Sequence, residues 1–168
     1  MKKSILIGLC LIFSTLLSTP LQAQYAKYKA LYVYNFTKRI DWPENNKKGD
    51  FIIGIFGESK ITEHLEHISK KKKVLNQPII IKKYNSIEKI DFCHILFITK
   101  EQSKKLNIIN VHLAGKATLT ISEKKNDEAC INFIENNKAL LFQINPQMIR
   151  KRRMKLSQSL INLGIEIN

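Results

Sequence analysis

Two histidines with neighbouring carboxylates are the first residues in this sequence that could bind a metal. His64 and His67 lie three residues apart, with Glu63 and Glu66 beside them, in a segment whose apolar spacing predicts a helix. Helical zinc pairs are commonly backed by a third ligand and by a base at a defined spacing, and neither is evident here. We therefore interpret these residues as solvated polar side chains near a lysine-rich helix end, and we predict no metal site.

Two other motifs have the residue types for cofactor binding or nucleophilic catalysis. Gly54-Ile55-Phe56-Gly57 lacks the third glycine and the Lys-Ser/Thr of phosphate-binding loops, so we interpret Gly57 as a turn out of a strand. Cys93 and His94 could form a thiolate–imidazole pair, but adjacent strand residues point to opposite faces of a sheet. We interpret His94 as a hydrogen-bonded residue at a strand edge. The sequence therefore predicts no cofactor and no enzyme.

The first 23 residues have the pattern of a secretory signal peptide. Lys2 and Lys3 precede a nearly unbroken apolar run, which ends in small residues before Ala23. The run is shorter than the roughly 20 apolar residues that a bilayer-spanning helix needs. We predict cleavage near Ala23-Gln24, with an uncleaved N-terminal helix as the alternative. The mature chain, residues 24–168, is then a single periplasmic domain without stable membrane insertion.

Basic residues outnumber acidic ones two to one. The chain has 28 Lys and Arg against 14 Asp and Glu, and loss of Lys2 and Lys3 with the leader lowers the formal charge from +14 to +12. Residues 150–153, Arg-Lys-Arg-Arg, resemble a nucleic-acid patch. An exported protein rarely meets nucleic acid, so we predict no nucleic-acid partner. The charge is solvating, or it complements an acidic protein or an anionic membrane surface.

Apolar patterning predicts alternating helices and strands. A helix is expected over residues 25–40, ended by Trp42-Pro43, because the residue before a proline disfavours helix. Further helices are expected after Ser59, after Thr99, and from Asn145 to about residue 163. Short apolar runs predict strands at residues 51–56, 78–81, 94–98 and 117–122, and a hairpin at residues 131–134 and 139–144. The fold class is therefore α/β, a three-layer Rossmann-like sandwich with a mostly parallel sheet and an antiparallel hairpin near the C-terminus.

Segments along nearly the whole predicted mature chain resemble the YfiR family in collinear order. The opening helix ends in Trp-Pro at residues 29–43, and the stretch Cys-His-Ile-Leu-Phe-Ile at residues 93–98 is close to the most recognisable stretch of the family. The other matching segments are residues 51–57, 119–122, 131–134, 142–145 and 155–163. The glycines that the family usually carries between the strands at 119–122 and 131–134 are absent here.

The resemblance implies a periplasmic regulatory protein, often a homodimer, with no catalytic activity. It implies binding to the periplasmic sensor domain of a membrane-anchored diguanylate cyclase, which lowers cyclic di-GMP and biofilm formation. The alternative is a periplasmic small-ligand-binding protein that feeds a membrane sensor or transporter through a crevice at the carboxyl ends of the strands.

Contact and bridge residues can also be proposed from the sequence. The candidate partner-binding residues are Tyr32, Phe36, Trp42, Arg150 and Arg153. Packing of the aromatic residues on the sheet is the alternative. Two cysteines remain after loss of the leader, Cys93 and Cys130, and an oxidising compartment permits a disulfide between them if their α-carbons lie within about 7 Å.

Overall fold

The computed structural model describes residues 19–136 and 139–167. The described helices are α1 (Thr19–Phe36), α2 (Ile61–Ser69), α3 (Leu106–His112), α4 (Pro146–Lys151) and α5 (Gln158–Ile161). The described strands are β1 (Ile40–Asp41), β2 (Phe51–Phe56), β3 (Lys73–Val74), β4 (Gln77–Tyr84), β5 (Ile95–Ile98), β6 (Leu119–Ser122), β7 (Ile131–Asn136), β8 (Ala139–Ile144), β9 (Lys155–Leu156) and β10 (Ile165–Glu166). Residues 1–18, which hold most of the predicted signal peptide, lie outside the described residues.

The described strands build one large sheet and one small one. The large sheet has the order β10-β8-β7-β6-β5-β2-β4-β3, and its centre, from β4 to β7, is parallel. Strand β8 returns antiparallel to β7, which confirms the predicted hairpin. Two residues of its predicted turn, 137 and 138, lie outside the described residues. Strands β1 and β9 form a separate antiparallel pair. The predicted α/β fold with a mostly parallel sheet is confirmed.

Helices cover both faces of the sheet because its central strands are apolar on both sides. On β5, Ile95 and Phe97 belong to one hydrophobic cluster, together with side chains of α1 and α2. Leu96 and Ile98 belong to a second cluster, together with side chains of α3. All four residues are fully buried. Burial on both faces explains why β5 is continuously apolar rather than alternating, as expected of a parallel strand between two helical layers.

The opening helix differs from its prediction at both ends. It begins at Thr19 rather than at residue 25. Helix α1 ends at Phe36 rather than at residue 40, and the chain turns before Ile40 and Asp41 pair with β9. The Trp-Pro sequence that follows favours an extended chain, which accounts for the stop.

The predicted closing helix is interrupted. Asn145 caps α4 as predicted, since its side chain accepts a 3.0 Å hydrogen bond from the amide of Met148. Arg153 then adopts a left-handed conformation with φ of 62°, which an α-helix cannot continue through. The chain forms β9 before α5 begins. Leu163, at the predicted end of that single helix, is 62% exposed.

Two other helices begin differently from the sequence prediction. Helix α3 begins at Leu106 after a 3-10 turn at Ser103–Lys105, so Thr99 does not cap it directly. Helix α2 begins at Ile61, whose amide makes a 3.4 Å contact with the Ser59 hydroxyl. These differences move helix ends by a few residues and leave the order of elements unchanged.

Candidate functional site

A pocket of about 510 Å³ lies where strands β2, β4 and β5 begin. The residues after α1, strands β1 and β9, and the loop before β2 supply the other walls. We call it the amino-edge pocket, defined by Arg39, Trp42, Phe51, His94 and Leu156. It lies opposite the carboxyl edge of the sheet, where open α/β folds usually bind ligands.

His94 holds the loop that borders this pocket. Its Nδ1 accepts a 3.0 Å hydrogen bond from the amide of Ile52, and its Nε2 lies 2.7 Å from the carbonyl oxygen of Asn46. These partners fit a neutral ring that carries its proton on Nε2. The ring stacks on Phe51 with centroids 4.3 Å apart. The predicted role of His94 as a hydrogen-bonded residue at a strand edge is confirmed.

Burial sets the protonation of His94. Desolvation lowers the pKa of its imidazole below the ordinary value of 6.5, against the smaller opposing effect of its bond to the Asn46 carbonyl. The neutral ring is therefore favoured near neutral pH, and it serves as a structural tie between the loop and the sheet.

Arg39 is a cation on the pocket wall that has no carboxylate partner among the residues the structure describes. Its Nη1 makes one 3.5 Å bond to the carbonyl of Asn35, and its Nε is buried without a hydrogen-bond acceptor in the described part of the chain. The one nearby carboxylate on the wall, Asp41, pairs with Lys47 at 2.7 Å. Trp42 is 5% exposed, and its indole nitrogen is also buried without an acceptor among the described residues.

A second pocket, of about 490 Å³, lies at the carboxyl edge of the sheet. We call it the carboxyl-edge crevice, defined by Lys29, Lys60, Lys100, Glu123 and Glu135. Its centre is an ion-pair network, in which Lys29 Nζ lies 2.8 Å from Glu123 and 2.5 Å from Glu135. Glu123 also accepts a 3.2 Å hydrogen bond from the amide of Lys100. The network joins α1 to the ends of β5, β6 and β7.

The environment of Lys29 keeps it charged. Burial alone lowers the pKa of its ammonium, but attraction and hydrogen bonding to Glu123 and Glu135 outweigh that effect, and the net pKa is raised above 10.5. Glu123 and Glu135 are therefore already engaged by the protein's own lysine.

The aromatic residues proposed as partner contacts lie mainly in the core. Phe36 and Trp42 are only 1% and 5% exposed, which agrees with the alternative that these side chains pack in the core. Tyr32 is half-buried, with its ring 5.4 Å from that of Phe142. The outward face of α1 instead carries Tyr28 and Leu31, which are 42% and 41% exposed. Apolar side chains are distributed around α1 rather than along one face, so their spacing in the sequence does not separate exposed from buried positions.

The basic residues proposed as contacts are on the surface. Arg150 and Arg153 are both exposed. Arg153 donates a hydrogen bond from Nη2 to the carbonyl of Gly115, whereas Arg152 between them is buried and donates to Asn110. Residues 150–153 therefore do not form one uniform charged face. Arg150, Lys151 and Arg153 are exposed, whereas Arg152 is buried.

Cys93 and Cys130 do not form a disulfide in the structure. Both are buried free thiols, and they belong to the two different hydrophobic clusters. Burial raises the pKa of the Cys93 thiol to about 12, which makes it a poor nucleophile.

The described part of the chain shows neither a cluster of metal ligands nor a helix that could span a membrane. Over residues 19–136 and 139–167, no three His, Cys, Asp or Glu side chains are grouped so that they could hold a metal ion. No helix in those ranges combines the length and apolarity needed to cross a membrane.

Comparison of the sequence with known protein families gives a match. A family model described as YfiR/HmsC-like matches residues 26–165, which include most of α1 and both edges of the sheet. The chain belongs to the YfiR/HmsC-like family. No curated protein matches it. Membership confirms the resemblance read from the Trp-Pro helix and the strand at residues 93–98, and it places the chain in a periplasmic family that is regulatory rather than catalytic.

Proposed function

We propose that this protein is a periplasmic regulator that binds the periplasmic sensor domain of a membrane-anchored diguanylate cyclase and holds the enzyme inactive. The observation that carries the proposal is the YfiR/HmsC-like family match over residues 26–165. The proposal includes delivery by the predicted signal peptide, residues 1–23, and a mature chain that begins near Gln24.

The mechanism is a shift of populations in the cyclase. A protein that binds the inactive sensor conformation more tightly than the active one can lower the ratio of active to inactive sensor by at most the ratio of the two affinities. No chemical step is needed. Shifting the sensor from almost wholly active to almost wholly inactive requires a ratio of about 10⁴.

Exposed residues on this chain offer a surface for such binding. The outward side of α1 presents Tyr28 and Leu31, and tyrosine is among the residues most enriched at interface hot spots. Arg150 and Arg153 add exposed positive charge for an acidic sensor surface, which would speed association. Half-buried Tyr32 remains a proposed contact, whereas Phe36 and Trp42 are buried and would support the surface from the core rather than touch the partner.

A deletion strain tests the proposal. Removing the gene from its host should raise cyclic di-GMP and biofilm formation, and complementation with the full chain should restore both. Affinity capture of the mature protein from the membrane fraction should recover a diguanylate cyclase. Unchanged cyclic di-GMP in the deletion strain, with no cyclase captured, would refute the proposal.

Charge reversal tests the proposed contact surface. We expect Arg150→Glu/Arg153→Glu to lose cyclase capture and to fail in complementation. The matched control is Lys71→Glu/Lys72→Glu, which changes the net charge equally at exposed positions after α2. Equal loss in both variants would show that overall charge, rather than this surface, matters. Sedimentation of the wild-type chain would test the homodimer that the family resemblance implies.

A ligand-binding role remains the second candidate. The carboxyl-edge crevice favours it by position and by its volume of about 490 Å³, which is in the range of small-molecule sites. Against it, Lys29 engages two of the carboxylates that line the crevice, Glu123 and Glu135. A ligand-binding protein that feeds a transporter separates from the proposed regulator in the deletion strain, because a transport component leaves cyclic di-GMP unchanged.

A further inference from the structure

We infer that a pocket between α3 and α4 binds a phosphate group attached to an apolar body, with the phosphate on Arg152 and the apolar body against Val111 and Met148. The pocket has a volume of about 400 Å³ and is lined by residues of the two helices and of the turns that follow them. We call it the α3–α4 pocket, defined by Asn110, Val111, Lys116, Met148 and Arg152. It shares no lining residue with the amino-edge pocket.

The main observation is that Arg152 is a buried cation without a counter-ion. It is only 9% exposed, and it forms no ion pair within residues 19–136 and 139–167. Its Nε is buried without an acceptor in the same ranges. A buried charge without a partner is costly, and arginine cannot relieve that cost by losing its proton, as a lysine or a histidine can. A bound anion supplies the missing partner.

Asn110 holds the guanidinium group in place without neutralising it. The Oδ1 of Asn110 accepts a hydrogen bond from Nη2 of Arg152, and its Nδ2 donates a 2.9 Å bond to the carbonyl oxygen of Glu128. These bonds join α3 to the end of α4 and to the loop before β7. Because the side chain of Asn110 is neutral, the positive charge of Arg152 remains available. A guanidinium that is already oriented loses little conformational entropy when it binds an anion.

The other charges of the pocket have the same sign as Arg152. Lys116, Lys151 and Arg153 also line it, and none of the described residues on its wall is acidic. The buried Lys29 of the carboxyl-edge crevice, by contrast, is paired with two carboxylates of the chain. Several cations around one arginine favour a phosphate group over a carboxylate, because phosphate offers more acceptor oxygens and can bind the arginine through two parallel hydrogen bonds.

The remaining walls of the pocket indicate an apolar body on that phosphate. Leu113 and half-buried Met148 line the pocket together with Val111, which is 76% exposed. Ile108, one turn before Val111 on α3, is 55% exposed and extends the apolar surface beyond the pocket. The volume of about 400 Å³ is in the range of small-molecule sites. An inorganic phosphate would leave these walls uncovered.

Hexyl phosphate is the probe for the purified mature chain, and calorimetry measures its binding. We expect saturable binding. Hexanol, which lacks the charge, and inorganic phosphate, which lacks the apolar body, should each bind at least about tenfold more weakly. No saturable binding of hexyl phosphate, or equal binding of hexanol, would overturn the inference. Tighter binding of hexanoate than of hexyl phosphate would overturn the choice of phosphate over carboxylate.

Variants locate the bound phosphate. Arg152→Gln should weaken hexyl phosphate binding by about tenfold to a hundredfold, the range expected for loss of a hydrogen bond to a charged group. Arg39→Gln removes the same charge from the amino-edge pocket and should retain the binding that Arg152→Gln loses. Unchanged binding in a folded Arg152→Gln variant would overturn the inference.

A second variant keeps the test decisive if Arg152→Gln does not fold. Lys116→Gln, at a half-buried position on the pocket wall, should weaken binding by about twofold to fivefold. Lys71→Gln, at an exposed position outside the pocket, is its matched control and should bind as wild type. Equal binding in Lys116→Gln and Lys71→Gln would overturn the inference.

Vesicles distinguish the two sources of such a phosphate, a phospholipid headgroup and a soluble phosphate ester. If the source is a lipid, phosphatidylglycerol vesicles should sediment with the wild-type chain and much less with Arg152→Gln. If the source is soluble, hexyl phosphate should bind and the vesicles should not sediment with the chain. Either result supports the inference. Equal sedimentation of both proteins without hexyl phosphate binding would overturn it, because general charge attraction would then explain the vesicle result.

The inference goes beyond the proposed function and can fail separately from it. Hexyl phosphate binding is measured without a cyclase, and cyclase capture is measured without hexyl phosphate. Capture of a cyclase by a chain that does not bind hexyl phosphate would refute the inference alone.

Discussion

Removal of the Lys29 ammonium tests how much the ion-pair network contributes to stability. Lys29→Met keeps the length of the side chain but leaves Glu123 facing the crevice without a cation. The side chains of Lys29 and Glu123 are only 7% and 14% exposed, whereas that of Glu135 is 40% exposed. Breaking a fully buried ion pair costs about 3–5 kcal/mol, and exposed pairs contribute about 0–1 kcal/mol. We therefore expect Lys29→Met to lower the free energy of unfolding by about 2–3 kcal/mol.

A double-mutant cycle separates this pair from its surroundings. Glu123→Gln should cost a similar amount, and the double variant should cost less than the sum of the two, with a coupling energy of about 1–2 kcal/mol. Glu135→Gln is the internal control and should cost less than about 1 kcal/mol because this carboxylate is largely solvated. Urea denaturation followed by circular dichroism measures all four variants. A Lys29→Met effect below about 0.5 kcal/mol, or additive single effects, would refute the reasoning.

The pKa shift of Lys29 fixes the pH range of this effect. Because its folded pKa is raised above 10.5, its contribution is fully present below that value and is lost as the pH rises through the folded pKa. The difference in the free energy of unfolding between wild type and Lys29→Met should therefore be constant between about pH 7 and 9, because this range lies below the ordinary lysine pKa.

Two further predictions concern a buried histidine and a strained backbone. Burial lowers the folded pKa of His94, so its neutral form stabilises the fold fully above the unfolded pKa of about 6.5, and this contribution is lost as the pH falls below that value. Between pH 7.5 and 5.0, the free energy of unfolding measured by denaturation should fall less for His94→Gln than for wild type. Equal losses in the two proteins would contradict this. Arg153→Val should lower the free energy of unfolding by about 1–2 kcal/mol more than Arg150→Val in the same assay. The reason is that a β-branched residue is disfavoured at the φ of 62° of Arg153, whereas Arg150 is helical. Equal losses would show that the backbone at Arg153 is unstrained.

The centre of the sheet could be predicted from the sequence because strands β2 and β5 are short, continuously apolar and bounded by turn residues. Strand β2 has the predicted bounds, and the buried run before Thr99 contains β5. The N-cap of α4 was also predictable, since Asn145-Pro146 carries both an acceptor side chain and a residue that needs no helical amide partner. These are local signals, and each depends on a few consecutive residues.

The pocket could not be predicted in the same way because its walls come from distant parts of the chain. Arg39 follows α1, His94 precedes β5, and Leu156 lies in β9. The sequence identified Trp42 by its residue type and His94 by its strand-edge position, but no spacing shows that the two rings lie 6.1 Å apart. The sequence also does not show whether Arg39 has an acidic partner, because the chain holds 14 acidic residues that could have paired with it.

The interruption of the closing helix is what joins these distant parts. A continuous helix from Pro146 to residue 163 would have satisfied the apolar spacing and would have left β1 without a partner. The left-handed residue at Arg153 ends α4, and Leu156 then pairs with Ile40. The amide of Ser157 binds the carbonyl of Arg39 at 2.9 Å, which fixes the backbone of the arginine on the pocket wall. A backbone conformation that opposes helix formation at one residue therefore helps to position Arg39 on the wall of the amino-edge pocket.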